Sequence, residues 1–103
     1  MFNNDAYMTR GFQSEIPAIT QVVIYDCLEK AKHSLKEMNY FQVFELRKIR
    51  SNGVSLQEIV HFQEVPAFKE TLVLELPESQ IIETKIYAID DGTHHTFLLA
   101  SEY

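Results

Sequence analysis

An α+β domain, one long helix packed on one face of a mostly antiparallel sheet of about five to six strands, is the fold that this sequence predicts. Three observations carry the expectation. Only one stretch, Pro17 to Met38, has apolar residues at helical spacing: Ile16, Ile19, Val23, Cys27, Leu28, Ala31 and Leu35 fall three or four apart. Nearly everything after it has the composition of strand and, in places, a period of two. Two dipeptides, Asn52-Gly53 and Asp91-Gly92, supply the positive φ angles that tight antiparallel hairpins need. The 103 residues make one domain, 1–103, of a size that can bury a core without disulfide or metal staples.

The elements follow in order. Ala6 to Arg10 reads as a short strand that Gly11 ends. Ser14-Glu15-Ile16-Pro17 opens the helix, because proline's missing N–H costs nothing in a first helical turn. Gln21, Glu29, Lys32, Lys36 and Glu37 are expected to face water, and Asn39 to lie in the region that caps the helix. Tyr40 to Arg50 is a strand whose alternation changes phase between Val43 and Phe44, which means cover on both faces or a bulge. Beyond Asn52-Gly53 the chain returns over Gln57 to Val65 and stops at Pro66. Glu70 to Leu76 alternates cleanly, with Leu72, Leu74 and Leu76 opposed to Thr71, Val73 and Glu75. Ile82 to Asp90 then pairs across Asp91-Gly92 with Thr96 to Tyr103.

Charge narrows the function. The net charge of −6 opposes binding to nucleic acid or to an anionic membrane, because phosphates repel such a surface. The balance is uneven: residues 51–103 hold nine acidic and two basic groups, against six and seven in residues 1–50. Arg47-Lys48-Arg50 is the one basic knot, and a hairpin tip without interleaved aromatics makes a solvated end, not a nucleic-acid site. No run approaches the roughly 20 apolar residues of a membrane span. The start of the chain lacks the basic and apolar segments of a signal peptide, and the single Cys27 cannot form an internal disulfide. These features point to a cytoplasmic protein.

Four groupings could carry chemistry. Asp90-Asp91-Gly92-Thr93-His94-His95 holds metal-ligand types, but adjacent strand residues diverge and Asp-Gly already explains the turn. His61 and Gln63 share one strand face and could form a polar binding patch or an acid–base site, for which a second positioned group is needed. Nothing in the sequence identifies that group; Glu45 and Glu75 raise a paired-carboxylate site, although Arg47 or Lys85 would explain them as cross-strand ion pairs. Cys27, on the helix's apolar stripe, reads as packing and not as a nucleophile. A phosphate-cradling glycine loop, a Gly-x-Ser-x-Gly elbow, a Cys-x-x-Cys pair and a His-Glu-x-x-His helix are all absent.

Taken together, several segments resemble an uncharacterised family of small bacterial proteins, domain of unknown function 960. They are Tyr7-Met8-Thr9-Arg10-Gly11, Ile16-Pro17, Tyr40-Phe41-Gln42-Val43-Phe44-Glu45-Leu46, His61-Phe62-Gln63-Glu64-Val65-Pro66, Lys85-Ile86-Tyr87-Ala88-Ile89-Asp90-Asp91-Gly92 and Leu98-Leu99-Ala100-Ser101-Glu102-Tyr103. The resemblance implies a cytosolic protein of a Gram-positive bacterium with no assigned activity, and it transfers no catalytic or binding residue. The residues themselves lead to a non-catalytic binding or adaptor protein acting through its sheet or acidic surface, without a cofactor or metal. Its partner would be another protein, or a second copy joined at an exposed sheet edge, an association that the apolar alternate faces of Tyr87, Ile89 and Leu98 favour. The alternative is a small enzyme or ligand-binding protein with a polar site around His61 and Gln63. Surface candidates are His61, Gln63, Glu45, Asp90 and Asp91.

Overall fold

In the computed structural model, which describes all of residues 1–103, one six-stranded sheet runs through the molecule. Its strands are β1 (Asp5–Met8), β2 (Phe41–Ser51), β3 (Val54–Gln63), β4 (Phe68–Leu74), β5 (Thr84–Asp90) and β6 (His94–Leu99), in spatial order β1-β6-β5-β2-β3-β4. Every pairing is antiparallel except that of β1 with β6, which is parallel. The β2–β3 hairpin turns on Asn52 (φ 52°) and Gly53 (φ 80°), the left-handed pair that matches the twist of antiparallel strands. No bulge intervenes in β2, which stays in register with β3 from Val43 to Ser51. The phase change at Val43 and Phe44 is cover on both faces, since Gln42, Val43 and Phe44 are all buried.

Two helices stand where the sequence predicts one. Residues Arg10–Glu15 form α1 and Ala18–Ser34 form α2. The strand expected to run to Arg10 stops at Met8, because Thr9 caps α1, its hydroxyl accepting from the Phe12 N–H at 3.2 Å. Gly11 thus lies inside a helix instead of ending a strand. A Cβ there would come within 2.6 Å of the Glu102 carboxylate, which accepts from the Gly11 N–H. Helix α2 ends four residues before Met38, at Ser34, with Leu35 already extended. Asn39 does not cap it. Its side chain donates to the Val65 carbonyl and accepts from the Phe41 N–H, so the sheet claims it.

The buried stripe of α2 is Thr20, Ile24, Leu28 and Ala31, with Val23 and Cys27 at its flank. Ile19, expected in the stripe, is 47% exposed, so the helix is rotated by about one residue from the predicted face. Gln21, expected in water, is half-buried and donates to the carbonyls of Phe12, Gln13 and Ile16, tying α1 to α2. The core beneath combines Phe12, Ile24 and Leu28 of the helices with Phe44, Leu46, Ile59, Ile86, Ala88, Phe97 and Leu99 of the sheet. Strand alternation puts all seven sheet residues on one face. A short 3₁₀ turn at Ala100–Glu102 replaces the end of the last expected strand, and another, at Glu78–Gln80, lies between β4 and β5.

Candidate functional site

Because side chains alternate, each strand gives one row to the helices and one to the open face. Cross-strand register sorts the predicted site residues. His61, Gln63 and Asp90 belong to the helix-covered row, whereas Glu45, opposite Val60 and Lys85, belongs to the open row. The structure therefore separates Glu45 from His61 and Gln63 by the thickness of the sheet. His61 and Gln63 are 2% exposed, buried under the helix layer and not on a free face.

Both are held in a closed network. Gln63 Nε2 donates to the carbonyls of Glu37 (3.2 Å) and Pro66 (2.7 Å), which makes its Oε1 the acceptor for the Asn39 N–H (2.9 Å) and for Gln42 Nε2 (2.7 Å). Gln42 Nε2 also donates to the Asn39 carbonyl at 2.8 Å, leaving Gln42 Oε1 as an acceptor 2.8 Å from His61 Nε2. Since the chain of bonds is anchored in backbone carbonyls, His61 must carry its proton on Nε2. Its ring stacks on Phe44 at 4.3 Å, and burial lowers its pKa to about 4. At neutral pH it is an uncharged structural donor. The network's job is to fasten the segment after α2 to the end of β3, and sequence reading missed Gln42 and Asn39 as its other members.

Asp90 and Asp91 are also committed. Burial pushes Asp90 up, but the amides of Phe2 and Gly92 and the Asn4 side chain outweigh it and hold the carboxyl below its usual value. It thereby anchors the segment leading into β1. Asp91, in the turn, accepts from the amides of His94 and Thr93 and from the Thr93 hydroxyl, which bring its pKa to about 2. His94 and His95 diverge: His95 is buried and bonds Asn4 at 2.7 Å, whereas His94 packs on Tyr7 on the open face. No three His, Cys, Asp or Glu side chains converge on a point that could hold a metal. The Cys27 thiol is pushed up to about 11 by burial and by neighbouring Asp26, far from a nucleophile's range. Glu45 pairs with Lys85 at 3.6 Å, and Arg47 pairs with Glu58 at 2.9 Å, so the carboxylate and the basic knot find the cross-strand partners that strand spacing allows.

The open face is different in kind. Along one end of the sheet it carries Phe41, Val43, Phe62, Tyr87, Ile89 and Leu98, with Tyr103 folded back over them. Phe41, Tyr87 and Tyr103 form a mutually packed triangle with ring centroids 4.7–5.6 Å apart, and Tyr40 continues it 6.1 Å from Phe41. Beside the triangle the surface is dented. A hollow of ≈ 310 Å³ lies between Asn39, Tyr40, Phe41, Val43, Glu64 and Val65, and it adjoins a second of ≈ 550 Å³ bordered by Glu45, Phe62, Glu64, Ala67 and Lys69. Glu64, shared by both, is exposed and has no ion-pair partner. The product is an apolar aromatic groove with an unpaired carboxylate at its middle.

No helix is long and apolar enough to cross a membrane. A family model described as "Staphylococcal protein of unknown function (DUF960)" matches residues 5–102. Among solved structures, the chain is similar to the crystal structure of a protein of unknown function from Enterococcus faecalis. That likeness has a TM-score of 0.76 at 23% identity and covers 98% of this chain and 92% of that one, and it speaks for the fold alone. No curated protein matches the chain.

Proposed function

From the premise that this chain belongs to DUF960, a family to which no function is assigned, we propose that it is a non-catalytic binding module. It takes a segment of a partner protein on the helix-free face of its sheet. The single observation that carries the reading is the groove of Tyr40, Phe41, Val43, Phe62 and Val65 around the unpaired Glu64. Rigid aromatic side chains with apolar bodies and polar tips are the commonest anchors of protein interfaces. Glu64, with the acidic balance of residues 51–103, fits a partner segment in which an apolar side chain is flanked by Lys or Arg. The same acidity repels nucleic acid. A reducing cytoplasm suits the one thiol, which has no partner for a disulfide.

Capture from native lysate tests this, with wild type and two groove variants, Tyr40→Ala and Glu64→Lys, as bait. A protein should be held by wild type, and its affinity measured by calorimetry should fall about tenfold or more with either variant. Lys30→Ala, on the solvent side of α2, should leave it unchanged. A tight small metabolite with no protein partner, or a partner indifferent to both groove variants, would sink the proposal.

A further inference from the structure

The two edges of the sheet are built differently. Strand β4 presents Lys69, Glu70 and Thr71 to solvent, the charged edge that discourages further pairing. Strand β4 also exposes one large apolar residue, Val73 (48%), whereas the four exposed residues of β1 hold a single charge, Asp5, and two large apolar side chains in succession, Tyr7 (53%) and Met8 (45%). The apolar character of β1 continues onto the helix layer. Met8 is the register partner of Phe97 and Tyr25 packs on the same Phe97 at 6.3 Å, while Val22, one turn earlier, is 64% exposed. An unguarded strand edge thus runs beside an uncovered apolar shelf.

We infer that β1 is the contact between two copies of this chain, paired antiparallel about a two-fold axis at Tyr7. The backbone sets the register. The Thr9 N–H donates to the Phe97 carbonyl, so by strand alternation Asp5, Tyr7 and Thr9 point their backbone groups at β6. Ala6 and Met8 therefore point theirs outward, unpaired. Outward groups can bond only to outward groups, and setting Ala6 against Met8 of the second copy satisfies all of them. Tyr7 then meets Tyr7 of the second copy on the open face, and the Met8–Tyr25–Val22 shelves adjoin on the other. Asp5 falls opposite Thr9 of the second copy, within one residue of its Arg10. Asp5 and Arg10 are exposed and neither has an ion-pair partner within the chain, so the arrangement pairs each with the other twice. A second copy is the occupant whose charges and register this edge complements. A four-residue strand pair alone falls short of the roughly 1,200 Å² that stable interfaces bury, so the pairing draws on the exposed Met8, Tyr25 and Val22 as well.

Sedimentation equilibrium of the full chain from about 10 µM to about 1 mM tests the pairing, since a self-association shows itself in concentration. Wild type should show a dimer. Asp5→Arg and Arg10→Glu should each weaken it about tenfold or more, because both set like charges face to face, and the double reversal should restore it. Met8→Pro removes an outward N–H that makes no bond within the chain, so it should give a monomer that melts close to wild type. A monomer at the highest concentration, a dimer that none of the variants weakens, or a double reversal that fails to restore it would overturn the inference.

Discussion

Lowering the pH should destabilise this protein through His61 before it does so through any carboxylate. In the folded chain the imidazole is 2% exposed, and burial brings its pKa from 6.5 to about 4. An unfolded chain protonates the same ring near 6.5, so between 6.5 and about 4 the unfolded state binds the extra proton. Stability is then complete above about 6.5, falls as the pH drops toward 4, and levels off for this group below that. At about 1.4 kcal/mol per pH unit, the loss is on the order of 3 kcal/mol, a large share of the roughly 5–15 kcal/mol of a small domain. His95 contributes in the same direction, since burial lowers it against the pull of Asp90. Asp90, Asp91, Glu78 and Glu102 are all held below their usual values, so what they contribute is lost only as the pH falls below about 4.5. Urea unfolding at a series of pH values between about 4 and 7 separates the two windows. His61→Gln keeps a donor for Gln42 but has nothing to titrate. It should start less stable, having lost the stack on Phe44, and should show a markedly flatter slope over this range. An unchanged slope would mean that the ring is not the buried neutral donor that the network requires.

Further changes follow from the same bookkeeping of buried polar groups. Thr20 Oγ1 is buried under α2 without a partner, so Thr20→Val should stabilise the protein by about 1 kcal/mol in chemical denaturation. Gln63→Leu orphans the carbonyls of Glu37 and Pro66, the Asn39 N–H and one N–H of the Gln42 amide at once, and should cost about 3 kcal/mol with loss of amide protection around Asn39. Gln21→Ala unties α1 from α2 and should cost about 1–2 kcal/mol, measured in the same denaturation series.

The fold was legible wherever local chemistry dictates local geometry. Asn52-Gly53 and Asp91-Gly92 marked two hairpins, and the alternation of Leu72 and Leu74 against Thr71 and Val73 marked β4. What failed were the signals with two meanings. Gly11 reads as a stop, yet it sits inside α1 because the backbone must pass close to Glu102. Ile19 has the right spacing for the buried stripe, but Ile24 and Leu28 fix the rotation of α2 from across the layer, and no periodicity within α2 could weigh that.

The site was misread for a related reason, which bears on small α+β domains in general. Polar residues in a strand suggest a face open to water, which is why His61 and Gln63 read as a surface patch, and Asp90 beside Asp91-Gly92 reads as a surface group of the turn. Gln63 and Asp90, however, bond in large part to main-chain groups, some of them remote in sequence, Glu37 and Asn39 for Gln63 and Phe2 for Asp90, and His61 bonds the buried side chain of Gln42. Backbone atoms leave no trace in a sequence, so a buried polar residue satisfied by them looks the same as an exposed one. Aromatic residues go the opposite way, since Phe41, whose face the sequence leaves open, and Tyr87, read with Ile89 and Leu98 as apolar surface, pack with Tyr103 on the face that the helices leave bare. The one clue to the exchange was the broken alternation at Gln42, Val43 and Phe44, where a polar, an apolar and an aromatic residue are all buried in succession. A strand that hides both its faces without a bulge needs a second cover. Helix α2 is the first, and the side chains of the aromatic groove are the second, so the surface proposed to bind a partner is also what shields Val43.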